Sequence, residues 1–233
     1  MATKKILAKN GNRRAEIPAG LVAIFVSFFV VAAIVTHLDI IPDYTNIHED
    51  LSYLGENLNR LTLNTFCWLI NSILIILLGA GILISFLPHS RSSSYLAAFL
   101  ISSTGIVYLF YSINGFNLIY LVNEYLKTPD IESEALTTIA LEFLITKSSL
   151  QLVAYTLAGI SAVILGQFVA RTGYLPRFIG WMAILGGLVY ATYGWVSLDS
   201  IIFSIGRLLF ILSLILFGSY LLLRGTIVKK KES

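Results

Sequence analysis

Lys147, Gln151 and Tyr155 recur at intervals of four residues, and Arg207 follows Ser204 by three, all within or beside long apolar runs. On a helix such spacing puts side chains on one face. In hydrocarbon these groups are costly and turn toward a bundle interior. Asn71, Asn114 and Asn117, with Tyr190 and Tyr193, add hydrogen-bonding groups to neighbouring runs. The chemistry this set suits is binding. The planar fork of Arg207 matches a carboxylate or phosphate, Lys147 supplies a second cation, and the amides and phenols orient a polar head. Arg207 has two other uses. It lies about two turns into its run, so it can snorkel to the interface, or it can pair with Glu142 or Glu124 to hold helices together. The asparagines and Gln151 equally suit interhelical hydrogen bonds.

A second set comprises His37, Asp39, His48 and Glu49, with Asp43 and Asp50 beside them. Two imidazoles and several carboxylates are the ligand types of zinc and other divalent ions. Their spacing matches no metal motif, and a solvated acidic loop uses the same residues. The chain has no HExxH, P-loop or Ser/His/Asp set. No histidine sits at mid-run for haem ligation, and no pair of broken helices marks a transporter. The single cysteine, Cys67, excludes an intrachain disulfide. No cofactor is implied.

The elements that must carry these residues are membrane helices. The 233 residues are 57% hydrophobic and 12% charged, with a mean hydropathy of +0.82, whereas soluble domains carry roughly 25% charged residues. The expected fold is all-α: a polytopic transmembrane bundle in one integral domain, 1–233. Its six spans are 18–36, 61–87, 95–126, 149–169, 178–196 and 201–223, between basic tails 1–17 and 224–233. The first run reads as a span and not as a cleaved signal peptide. Ile47, Leu51, Leu54, Leu58 and Leu61 form a helical stripe, which predicts an amphipathic helix over 45–60 in the first outer loop. Asn46 and Glu49 read as its capping box. The third run, 32 residues, reaches about 48 Å against a hydrocarbon core of about 30 Å, so it protrudes outward or bends near Asn114 and Gly115. A helix restarts at Ile131 and continues to Arg171.

Charge sets the threading. Lys4, Lys5, Lys9, Arg13, Arg14, Arg91, Arg171, Arg177, Arg224, Lys229, Lys230 and Lys231, twelve of the 16 basic residues, fall on one side of this arrangement. Basic flanks stay cytoplasmic, so both termini are expected in the cytoplasm. Basic residues confined to tails and turns exclude a nucleic-acid footprint. The polar residues then gather in the outer half of the spans. That predicts an outward-facing polar cavity, roofed by the amphipathic helix, in a multi-pass protein of the cell membrane. The expected ligand is a membrane lipid or amphiphile. An accessory subunit of a membrane complex, a homo-oligomer, a metal-dependent enzyme on the outer face and a small transporter stay open as alternatives.

One stretch carries a family resemblance. Gly166-Gln-Phe-Val-Ala-Arg-Thr-Gly-Tyr-Leu-Pro-Arg-Phe-Ile-Gly180 joins two apolar runs through a basic turn. Gly173 suits a left-handed helix end, and Pro176 suits the first turn of the next helix. The segment resembles the hallmark of a prokaryotic membrane family, domain of unknown function four-three-eight-six. That resemblance implies a chain of this length with about six spans, and brings no catalytic residues.

Overall fold

The structure is a computed structural model that describes residues 2–38, 46–127, 133–193 and 200–232, with side chains over 16–38, 46–127, 134–193 and 201–226. Among them are seven helices: α1 (Ala2–Val35), α2 (Ile47–Glu56), α3 (Leu58–Phe86), α4 (Arg91–Tyr125), α5 (Ser133–Thr172), α6 (Arg177–Thr192) and α7 (Ser200–Glu232). Five of them, α1, α3, α4, α5 and α7, are long and apolar enough to cross a membrane. Helix α6 is apolar but has 16 residues, about 24 Å of rise.

The six longer helices close into a ring. Each packs on its neighbour in order, α3 on α4, α4 on α5, α5 on α6, α6 on α7, and α1 completes the circle between α7 and α3. Short connections force antiparallel neighbours, which gives the ring two ends. One carries α2; the other carries the hairpin turn between α5 and α6. Leu21, Phe25, Phe28, Phe99 and Leu208 stay exposed on the outer faces, as expected where lipid is the solvent.

Sequence explains the breaks. Leu87 and Pro88 follow α3. Gly173 takes φ 61°, and its amide donates to the Val169 carbonyl at 3.1 Å, which closes α5 in the left-handed manner expected of it. Pro176 stands at the N-cap of α6 with φ −53°. The hallmark glycines have a second role. A Cβ on Gly180 would meet the Gly166 carbonyl oxygen at 2.6 Å, and one on Gly166 would meet the Gly180 carbonyl oxygen at 2.6 Å. Bare backbones therefore touch where α5 and α6 leave the turn.

Some local expectations differ from the structure. Helix α1 continues through Pro18, so the segment before 18 joins the first membrane helix without a break. Asn46 makes no side-chain cap bond to α2, so the capping box does not form. Helix α3 starts at Leu58, leaving only Asn57 between it and α2. Helix α4 does not break at Asn114 and Gly115; it runs 35 residues unbroken, and its C-terminal turns meet α2. There α2 lays Ile47, Leu51 and Leu54 on Leu118, Leu121 and Val122 of α4 and on Ala140, Leu141 and Leu144 of α5. This small second core holds α2 across the end of the ring.

Candidate functional site

Two polar side-chain groups, one at each end of the ring, stand out against an apolar interior. At the α2 end a chamber of about 520 Å³ opens between α1, α3, α5, α6 and α7. Helix α7 contributes Arg207, Tyr193 follows the end of α6, and α5 contributes Ser148, Gln151 and Tyr155. Helix α3 adds Arg60 and Trp68, and His37 follows the end of α1. No Asp or Glu is among the described lining residues. A smaller recess of about 70 Å³ shares His37, Ser148 and Gln151 with it and adds Lys147, Asn64 and Tyr111.

The side chains in the chamber are ordered by aromatic rings. The Arg207 guanidinium lies over the Phe203 ring, 4.4 Å from its centroid, a favourable cation–π placement. Arg207 Nε has no hydrogen bond among the described residues. Tyr193 stacks on Phe203 at 3.6 Å. Gln151 Nε2 donates to the Tyr155 hydroxyl at 2.6 Å. Lys147 Nζ sits 4.8 Å from the Tyr111 ring centroid. Arg60 is committed elsewhere: one guanidinium nitrogen donates to the Val35 and His37 carbonyls, at 3.2 and 2.9 Å. It thereby satisfies the orphan carbonyls at the end of α1.

The structure thus brings Arg207, Gln151 and Tyr193 together and puts Lys147 in the adjoining recess. Tyr190 lines the apolar interior behind them. Asn114 and Asn117 are not among the lining residues: Asn114 Nδ2 donates to the Phe110 carbonyl of its own helix at 2.9 Å, and Asn117 is exposed. Asn71 is fully buried, and neither polar atom of its amide has a hydrogen bond among the described residues. Glu124 pairs with Lys127 at 3.1 Å, and Glu142 is exposed.

Of the metal candidates, His37 lines the chamber, while His48 lies on α2, where its Nδ1 is 3.0 Å from the Tyr125 hydroxyl. Glu49 is exposed in the first turn of α2. Asp39, like Asp43, lies outside the described residues. Among the described residues no group of three His, Cys, Asp or Glu side chains is placed to hold a metal ion.

An orphan amide is expensive, about 1–3 kcal/mol for each buried group left unsatisfied. Asn71→Leu is therefore expected to raise the melting temperature of delipidated protein, by roughly that free energy. A lower melting temperature would mean that a polar guest already pairs with the amide.

The second group was not foreseen. At the hairpin end Glu16 of α1 is only 2% exposed. The Tyr174 hydroxyl donates to it, and Arg224 Nε of α7 lies 3.6 Å from its other oxygen. Arg224 also donates to the Tyr174 carbonyl and lies 3.9 Å from the centroid of that ring. His89, between α3 and α4, packs its ring on Tyr174 at 4.6 Å. Partial burial lowers the His89 pKa, the Arg224 charge lowers it further, and Glu16 opposes both. These contacts tie α1, α7 and two turns together. The signal was present in the chain: Glu16 is the lone acid in a basic tail, and Tyr174 stands inside the hallmark. Arg60, Asn64 and Trp68, at four-residue steps, likewise marked a polar face of α3.

Long apolar helices packed in a ring, with polar side chains turned inward, define an integral membrane protein of the helical class. The chain belongs to the family described as Domain of unknown function (DUF4386), which it matches over residues 19–225. No curated protein and no solved structure matches it.

Proposed function

We propose that the chain crosses the cell membrane six times with both ends in the cytoplasm, and that the chamber at the α2 end faces outward and binds an anionic lipid or amphiphile. The basic tails and turns support the orientation. Helix α6 packs along both α5 and α7, and the tight turn at Gly173 makes it antiparallel to α5, which supports a sixth crossing. Its 16 residues fall short of a core about 30 Å thick, a mismatch that local thinning of the bilayer absorbs at modest cost.

The observation that carries the ligand reading is Arg207. Its guanidinium faces a chamber without a described carboxylate, with Nε still open and the plane held by Phe203. A cation so placed favours a negatively charged head, and Gln151, Ser148 and Tyr193 offer it further hydrogen bonds.

Native mass spectrometry of the purified protein tests this. Wild type is expected to retain anionic over zwitterionic lipid, and Arg207→Leu to lose about tenfold in that preference, the value of one charge-assisted hydrogen bond. Identical lipid profiles for the two proteins would remove the assignment.

A further inference from the structure

Behind the chamber lies a second cavity, of about 80 Å³, in the middle of the ring. All six helices of the ring contribute to its wall. On α3 the lining runs from Trp68 to Ile82, a rise of roughly 21 Å. A small volume over that length makes it a narrow slot. Thr104, Ser161 and Ser213 are already used, donating to the Leu100, Ala158 and Phe210 carbonyls of their own helices, and Tyr108 and Tyr190 also contribute phenols to the wall. The remaining wall is largely aliphatic and aromatic. A void of this kind stays dry and accepts apolar guests.

The slot and the chamber share one residue, Trp68. Its ring stacks on Tyr108 at 4.3 Å, and across the junction Tyr155 packs on Tyr190 at 4.9 Å. These rings separate a cationic compartment from an apolar one. At the far end Phe86 meets Phe168 and Phe217, at 4.9 and 5.7 Å, and packs at 4.8 Å on Tyr174, whose hydroxyl bonds Glu16.

We infer that the ligand is an amphiphile whose anionic head rests on Arg207 and whose one inserted hydrocarbon chain passes Trp68 into the slot. This rests on the chamber reading and adds the ligand's class. A compact anion leaves the slot empty. Two matched compartments joined by one aromatic junction suit a head and a single chain.

Photocrosslinking tests the chain. The protein, in nanodiscs of phosphatidylcholine, receives a fatty acid carrying a diazirine at the chain terminus, or a lysophosphatidate carrying the same group. Adducts are expected on slot residues such as Leu165, Val169 and Leu214, with at least a tenfold loss in Arg207→Gln. The head that gives them, carboxylate or phosphate, names the recognised anion, and adducts from both mean that charge alone is read. Ala162→Phe, which fills the slot, is expected to abolish those adducts. If that variant does not fold, the wild-type adduct map decides alone. Adducts confined to lipid-facing residues such as Phe25 and Phe99, with retention still dependent on Arg207, would overturn the inserted chain but not the chamber. Loss of both signals would overturn the chamber as well.

Discussion

Arg224→Met is expected to destabilise the purified protein by about 3 kcal/mol, a fall in melting temperature of roughly 6–12 °C for a chain of this size. Glu16 is almost completely buried, and the Arg224 guanidinium lies 3.6 Å from it. Removing the arginine leaves a carboxylate in low dielectric with the Tyr174 hydroxyl as its remaining described partner. That imbalance, more than the attraction lost, sets the cost. The guanidinium also releases the Tyr174 carbonyl and ring, so the turn between α5 and α6 loses its tie to α7. Adding Glu16→Gln should return about 2 kcal/mol, because a neutral amide is far cheaper to bury unpaired. A double variant no more stable than Arg224→Met would show that the pair does not hold this end of the ring. Thermal unfolding in detergent reads all three proteins.

Gly180→Ala is expected to cost about 2–3 kcal/mol, at the upper end for one added methyl group. The new Cβ would lie 2.6 Å from the Gly166 carbonyl oxygen and 2.8 Å from the Ala170 amide nitrogen. Both atoms belong to the backbone of α5 and cannot rotate away, so the two helices must separate where the hairpin begins. Gly173→Ala supplies the contrast. A Cβ there meets nothing within 4 Å, but φ stays at +61°, and the left-handed conformation costs a non-glycine residue roughly 1–2 kcal/mol. The expected order is Gly180→Ala more damaging than Gly173→Ala. The reverse order would assign the hallmark to turn geometry and not to close helix packing. Within one fifteen-residue motif, then, glycines at the ends permit contact and the glycine in the middle permits the turn.

Much of this architecture is legible in the chain because membrane helices announce themselves by unbroken apolar length. Their breaks follow Pro88, Gly173 and Pro176. The Ile47, Leu51 and Leu54 stripe is also readable, since period alone identifies the face that α2 buries. Position along a helix relative to its neighbours is legible too, and Arg207, Gln151 and Tyr193 line one chamber. Rotation about the helix axis is not. Asn114 and Asn117 lie at a suitable depth, but their α4 faces lie away from the chamber lining. Distance in sequence hides the rest. Glu16, Tyr174 and Arg224 meet only because the first and last helices close the ring. The expected first span begins at Pro18, yet α1 passes through that residue unbroken. A proline removes one backbone donor and disfavours a helix locally, but packing along α3 and α7 outweighs that penalty. The close Gly20 and Gly218 backbones show how tight this closure is: a Cβ on Gly20 would meet the Gly218 carbonyl oxygen at 2.6 Å.

An outward-facing cationic chamber requires that the two ends of the ring lie on opposite sides of the membrane. Single-cysteine labelling in intact cells measures this directly, because the native Cys67 is buried and gives little background. Ser148, which lines the chamber, and Thr226, exposed near the other end of the ring, are each replaced by Cys. With a membrane-impermeant maleimide, Ser148→Cys should label in intact cells and Thr226→Cys only after permeabilisation. Labelling of Thr226→Cys from outside, with Ser148→Cys protected, would turn the chamber toward the cytoplasm and contradict the proposed function.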